Sequence, residues 1–303
     1  MPKAVPSSTF VTAQDGLKLH VRQWGPRAAA ATPVVCLPGL TRTAADFETL
    51  ATTLAANSNA PRRVLALDSR GRGNSDYDRN PANYNPSTEL ADLLAVITAL
   101  EIGRTIFVGT SRGGILVMLL GAVRPGAIAG CVLNDIGPVI ELEGLARIKS
   151  YVGKLPRPGS YGEAADGLRK LFASQFPKLT DDDWLAFARR TFRQTDGCLV
   201  PDYDVKLGQT LAGIDLEQPL PPLWKQFDSL ARAPMMLIRG SNSDILSMKS
   251  AAAMRARRES LEFVTVADQG HAPLLTDSET IGHIAAFIAN CDESCGVIPG
   301  HGR

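Results

Sequence analysis

The sequence predicts an α/β protein: a doubly wound, mostly parallel β-sheet with a helical segment inserted late in the sheet. Short apolar runs at Val34–Leu37, Val64–Leu67, 106–108 and 131–133 lack polar alternation, the pattern of strands buried on both faces. A segment of helical character separates each run from the next, and parallel neighbours need such crossovers, so helices are expected on both sides of the sheet. The rhythm then breaks, because 137–227 shows helical patterns without a buried strand, and an apolar run resumes only at 235–238. The expected organisation is a core made of residues 1–136 and 229–303 and a helical cap over 137–228.

In chain order, Leu17, Leu19 and Val21 alternate with Lys18, His20 and Arg22 after an Asp15-Gly16 turn signal, which predicts a half-exposed, antiparallel edge strand entered from a hairpin. The four buried strands follow. Residues 115–123 form the longest greasy run, about half of the roughly twenty residues a membrane span needs, and read as a buried helix. Within the insertion, Thr180 followed by three aspartates predicts a capped helix start, with Trp184, Phe187, Ala188 and Thr191 at helical spacing behind it. The proline-rich stretch at Pro219, Pro221 and Pro222 marks the exit. A strand at 235–238, a helix near 249–257, a strand at 261–266 and a last helix from Asp277 or Ser278 complete the core, before a patternless tail over about the final eight residues.

Composition narrows the function. Lysine and arginine number 32 against 31 acidic residues, so there is no long-range field to gather nucleic acid or anionic lipid, and neither is expected as a partner. The N-terminus has no apolar stretch resembling a secretory signal. Five scattered cysteines (Cys36, Cys131, Cys198, Cys291, Cys295) suit reduced thiols, so a cytoplasmic location is expected. The four histidines form no zinc-ligand cluster with them, so no metal is expected.

The chemistry centres on Gly109-Thr110-Ser111-Arg112-Gly113, which lies between the strand at 106–108 and the helix beginning near Gly114. This G-x-S-x-G pattern in a strand-turn-helix context is a nucleophile elbow: a tight turn strains the serine and exposes its hydroxyl at the carboxyl edge of the sheet. A serine hydroxyl needs a base, and His271, in the loop after the strand at 261–266, is placed to supply it. His20, His283 and His301 fall in an edge strand, a helix and the tail. The carboxylate that orients the base is expected at Asp244, in the loop after the strand at 235–238, which gives the chain order Ser, Asp, His; Asp135, after the strand at 131–133, is the alternative. Backbone N–H groups of Arg112 and Leu40 are the expected oxyanion donors, Leu40 because the Pro38-Gly39-Leu40-Thr41 loop follows the first buried strand.

Together these residues resemble the α/β-hydrolase superfamily, capped serine hydrolases of the esterase kind, over about 10–288. Asp68-Ser69-Arg70-Gly71-Arg72-Gly73-Asn74-Ser75 resembles the D-x-R-G-x-G-x-S loop of capped members, where the resemblance implies a scaffold role for Asp68 and Arg70. The loops bearing Asp244 and His271 are similar to the family's acid and histidine loops. The chain departs from the pattern in carrying Pro38-Gly39 where members usually have His-Gly. Serine at the elbow also separates it from relatives resembling dehalogenases and epoxide hydrolases, which place aspartate there.

The expected function is hydrolysis of small to medium carboxylic esters through an acyl-serine intermediate, without a cofactor. Carbon–carbon bond and lactone hydrolysis are the alternatives on the same fold, and a small-molecule receptor with a retained pocket is the non-enzymatic one. The partner is a small-molecule substrate, with self-association left open. Trp184, Phe187 and Trp224 are candidates for the pocket wall, although Phe192, Tyr203 and Phe227 share the insertion and aromatics at helical spacing are more often core.

Overall fold

The computed structural model describes residues 6–57 and 60–294. The patternless tail, Cys295 and His301 lie outside the described residues, as does the start of the N-terminus. Eight strands form one sheet in the order β1-β2-β4-β3-β5-β6-β9-β10. They are β1 (Ser7–Thr12), β2 (Lys18–Trp24), β3 (Val34–Leu37), β4 (Val64–Leu67), β5 (Thr105–Thr110), β6 (Ile128–Asn134), β9 (Met235–Gly240) and β10 (Glu262–Val266). β1 and β2 are antiparallel to their neighbours, and every other pairing is parallel. Strand order reverses after β3, with β4 on one side of it and β5 and β6 on the other, so a crevice opens at the carboxyl ends of β3 and β5 near the sheet's centre, where open α/β folds bind ligands.

The unalternating apolar runs have a direct cause. Val35, Leu37, Leu65, Leu67, Phe107, Leu133 and Leu237 point to one face, where α2 (Pro86–Ala99), α3 (Arg112–Val123), α8 (Trp224–Ser229) and α9 (Met248–Arg257) cover them. Val34, Cys36, Val64, Ala66, Val108, Val132 and Ile238 point to the other, under α1 (Glu48–Ala55) and α10 (Ser278–Ser294). Period-two side chains thus meet an apolar layer whichever way they point. Burial pushes the Cys131 thiol up to about 12, and the Cys36 thiol up as well.

Between β6 and β9 lie α4 (Leu142–Tyr151), α5 (Tyr161–Phe172), α6 (Asp181–Thr191) and α7 (Leu207–Ala212), then α8. Thr180 caps α6 with the expected box: its hydroxyl accepts from the Asp183 N–H, and the Asp183 carboxylate accepts from the Thr180 N–H. Phe172, Phe176, Trp184, Phe187, Phe192 and Leu199 form an apolar centre within this segment, against which Leu274 packs from the histidine loop.

One element contradicts the all-helical reading of the insertion: β7 (Phe192–Thr195) and β8 (Cys198–Pro201) pair as an antiparallel hairpin. Its turn is Asp196-Gly197, both at positive φ (39° and 82°), the conformation that a tight two-residue hairpin turn demands. β2 is also more buried than its alternation implies. His20 is 2% exposed, with Nδ1 2.7 Å from Asp68 and Nε2 2.9 Å from the Ser8 hydroxyl, so it ties β2 to the loop after β4.

Candidate active site

Ser111 sits at φ 50°, ψ −113°, between β5 and α3. The turn that holds it there tolerates no side chain two positions to either side: a Cβ on Gly113 would lie 2.0 Å from the Leu37 carbonyl oxygen, and one on Gly109 would lie 2.6 Å from the Gly114 nitrogen. Strand and helix therefore cross at backbone contact, which is what forces the hydroxyl outward. The elbow is further braced through Arg112, whose Nε donates to Glu89 (2.7 Å) and whose Nη2 donates to the Tyr84 carbonyl (3.2 Å). Glu89, 1% exposed, also pairs with Arg72 at 2.7 Å. Burial works against that carboxylate, but the two arginines hold its pKa below the ordinary value.

His271 lies with Nε2 2.8 Å from the Ser111 hydroxyl oxygen and Nδ1 2.8 Å from Asp135 Oδ2. Its loop is held by Gln175, whose amide oxygen accepts from the His271 backbone N–H at 2.9 Å, and by Asn134, which donates to the Pro273 carbonyl at 2.9 Å. Asp135 is fully buried, and both of its carboxylate oxygens accept hydrogen bonds. The Gly240 N–H donates to Oδ1 at 2.9 Å, and the Ser243 hydroxyl donates to Oδ2 at 2.5 Å beside the imidazole.

The expectation that Asp244 orients the histidine is therefore corrected: the structure puts Asp135 there. β6 lies directly beside β5, so a residue just past its end is one strand spacing, about 4.8 Å, from the elbow strand, whereas the loop after β9 starts one strand further out. From that loop Ser243, not Asp244, points at Asp135. The Asp244 side chain turns to Arg147 of α4, which grips it through Nε (2.5 Å) and Nη2 (2.8 Å). Burial would raise the Asp244 pKa, but the Arg147 contacts outweigh it and hold the carboxylate below its ordinary value. The α4 start is seated on the same loop, since the Gly144 N–H donates to the Asp244 carbonyl and the Glu141 N–H to that of Ile245. What the sequence presents as an acid loop thus fastens the insertion to the sheet.

Ser111 and His271 open into a pocket walled on one side by Gly39, Leu40, Thr41 and Leu275 and on the other by Tyr151, Val152, Leu155, Phe172 and Phe187 of the insertion. Gly39 abuts the elbow, because a Cβ placed on it would be 3.8 Å from Ser111 Cβ. The Leu40 carbonyl accepts from Arg72 Nε at 2.7 Å, which fixes the loop that carries Pro38. Asp68 and Arg70 serve the scaffold as the resemblance implies: Asp68 accepts from the Ala44 and Asn74 N–H groups, and Arg70 pairs with Asp15, Asp78 and Asp92.

Of the three aromatic candidates only Phe187 lines the pocket. Trp184 is 2% exposed and stacks behind Phe187 with ring centroids 6.0 Å apart. Trp224 is corrected to a structural residue. It packs edge-on to Phe227 and under the Arg257 guanidinium, 4.4 Å from its ring. Its helix, α8, rests on α3 near Gly121, ten residues and so about 15 Å along the helix from Ser111.

A model of the alpha/beta hydrolase family matches residues 34–281. The chain belongs to that family. This hydrolase is 28% identical over 295 residues to the 3-hydroxybutyrate-oligomer hydrolase of Cupriavidus necator, covering 94% of this chain and 98% of that protein. It is 26% identical to the 2-(acetamidomethylene)succinate hydrolase of Mesorhizobium japonicum, over 77% of this chain and 79% of that one. Among solved structures, an alpha/beta hydrolase from Novosphingobium aromaticivorans is 40% identical and superposes with a TM-score of 0.84, over 94% of this chain and 99% of the other. No helix among the described residues is long and apolar enough to cross a membrane.

Proposed function

We propose that this hydrolase cleaves carboxylic esters through an acyl-serine intermediate on Ser111. The observation that carries this reading is the unbroken relay from the Ser111 hydroxyl through His271 to Asp135, both links 2.8 Å. With the Nδ1 proton donated to Asp135, Nε2 is free to accept the Ser111 proton as the oxygen attacks the ester carbonyl. The imidazolium then returns that proton to the leaving alcohol. In deacylation the same nitrogen takes a proton from water, which attacks the acyl carbonyl and frees the acid.

Charge developing on the carbonyl oxygen is met by the backbone N–H groups of Arg112, at the positive end of α3, and of Leu40. No metal or cofactor enters these steps. The segment 137–228 serves as the cap, and its apolar wall, with Phe187 in it, holds the acyl chain. A hydroxy-acid oligomer hydrolase among the relatives, matched along nearly its whole length, favours ester cleavage over the carbon–carbon reading. A receptor without turnover has no use for a base hydrogen-bonded to a strained serine.

The direct test is turnover of para-nitrophenyl esters of short acids under pre-steady-state conditions. The expected result is a burst of about one nitrophenolate per chain followed by slower steady release, as an accumulating acyl-enzyme gives. Absence of hydrolysis across a panel of acyl chains would count against the ester reading.

A further inference from the structure

Two guanidinium groups and one carboxylate line the pocket besides His271: Arg42, Arg190 and Asp46. Their hydrogen bonds are distributed unequally. Arg42 takes both oxygens of Asp46, through Nε (2.7 Å) and Nη2 (2.5 Å), and its Nη1 donates to the Thr191 hydroxyl at 2.7 Å. That hydroxyl in turn donates to the Phe187 carbonyl, and the Arg42 guanidinium lies 4.7 Å from the Phe187 ring centroid. Arg42 and Asp46 therefore neutralise each other and hold one geometry.

Arg190 is left over. Its Nε reaches no closer than 3.7 Å to Asp46 Oδ1, an oxygen already committed to Arg42, and it makes no hydrogen bond among the described residues. Its side chain is 19% exposed. Burial lowers its pKa most and Arg42 adds to that, and the carboxylates of Asp46 and Asp183 offset the loss only in part. A mostly buried guanidinium whose one ion pair is long and shared, and which has no hydrogen bond among the described residues, is costly, and a wall needed only to be apolar would not keep one.

We propose that Arg190 receives a carboxylate of the substrate, so that the esters this hydrolase prefers carry a free acid group on the acyl chain. Arg42, Arg190 and Asp46 together leave one net positive charge in the wall, which matches a carboxylate better than a phosphate dianion. A guanidinium fork also binds carboxylate oxygens in pairs. Ser111 and Arg190 line the same pocket, so an acyl chain held on Ser111 can present a terminal carboxylate to Arg190. The apolar residues Leu155, Phe172 and Phe187 would flank the methylenes between the two ends. This assignment rests on the acyl-serine reading of Ser111 and extends it to substrate choice.

The test compares para-nitrophenyl hydrogen adipate with para-nitrophenyl hexanoate, which differ by a terminal carboxylate in place of a methyl group, with spontaneous hydrolysis subtracted. Wild-type enzyme should favour the adipate, and Arg190→Gln should lower the ratio of the two kcat/KM values by about tenfold or more, the change falling on the adipate KM. Arg190→Lys should recover part of the ratio. Adipate itself, titrated calorimetrically at constant ionic strength, should bind wild type and lose affinity in Arg190→Gln. A wild type without preference, or a ratio unchanged by Arg190→Gln, would overturn the proposal. Hydrolysis of neither ester would instead sink the ester reading, and the adipate titration alone would then decide the anion site: weaker binding by the variant upholds it, equal or absent binding refutes it.

Discussion

Ser111→Ala is expected to lower kcat for ester hydrolysis on the order of a millionfold, to the residual rate that binding and oxyanion donors give without a nucleophile. The substitution removes one oxygen whose only side-chain partner among the described residues is His271 Nε2. Alanine keeps the Cβ that the turn already accommodates at φ 50°, so strain is unchanged and the elbow glycines still permit the crossing. Melting temperature and circular dichroism should therefore stay close to wild type while turnover vanishes. Retention of more than about a thousandth of wild-type kcat, with host esterases excluded, would remove Ser111 from the role.

The second large effect separates two aspartates. Asp135→Asn should cost about four decades in kcat, and Asp244→Asn less than about one. In Asp135→Asn, the Gly240 N–H holds the amide oxygen at the Oδ1 position. The NH2 group then faces His271 Nδ1 and donates to it, which drives the imidazole proton to Nε2 and leaves no base for Ser111. Asp244→Asn weakens the two-pronged grip of Arg147 instead, so its signature is a lower melting temperature from looser seating of α4. Steady-state rates and thermal melts on the two variants distinguish the roles. The reverse ranking in kcat would return Asp244 to the relay.

Much of this was legible because it depends on local sterics. The elbow could be read from five residues, since only glycine fits where Leu37 and Gly114 press on the turn. The parallel sheet could be read because strands covered on both faces have no polar positions to interrupt them. The acid could not. Asp135 and Asp244 both follow sheet strands at the carboxyl edge, and which one reaches His271 depends on strand order and on whether Ser243 or Asp244 points inward. Neither is a local property. The chain order Ser, Asp, His holds for either residue, and only spatial order selects Asp135.

The partners that brace the site were equally silent in the sequence. Glu89 lies on α2, far in sequence from Arg112, and Gln175 lies in the insertion, so both contacts exist only in three dimensions. The β7–β8 hairpin is different, because Asp196-Gly197 is a strong two-residue turn signal. Its flanking strands are four residues long with exposed Arg193 and Gln194, too short and too polar for an apolar pattern to announce them. Trp224 and Phe187 likewise share a residue class and a segment, and only the packing of α8 on α3 takes one of them away from the pocket.

The central claim is that Ser111, activated by His271, forms the covalent bond to substrate. Its most direct test is reaction with a fluorophosphonate followed by intact-mass and peptide mass spectrometry. The account predicts one adduct per chain, on the peptide containing Ser111, lost in Ser111→Ala and formed far more slowly in Asp135→Asn than in Asp244→Asn. An enzyme that hydrolyses esters yet carries no adduct at Ser111, or carries it on another residue, would contradict it.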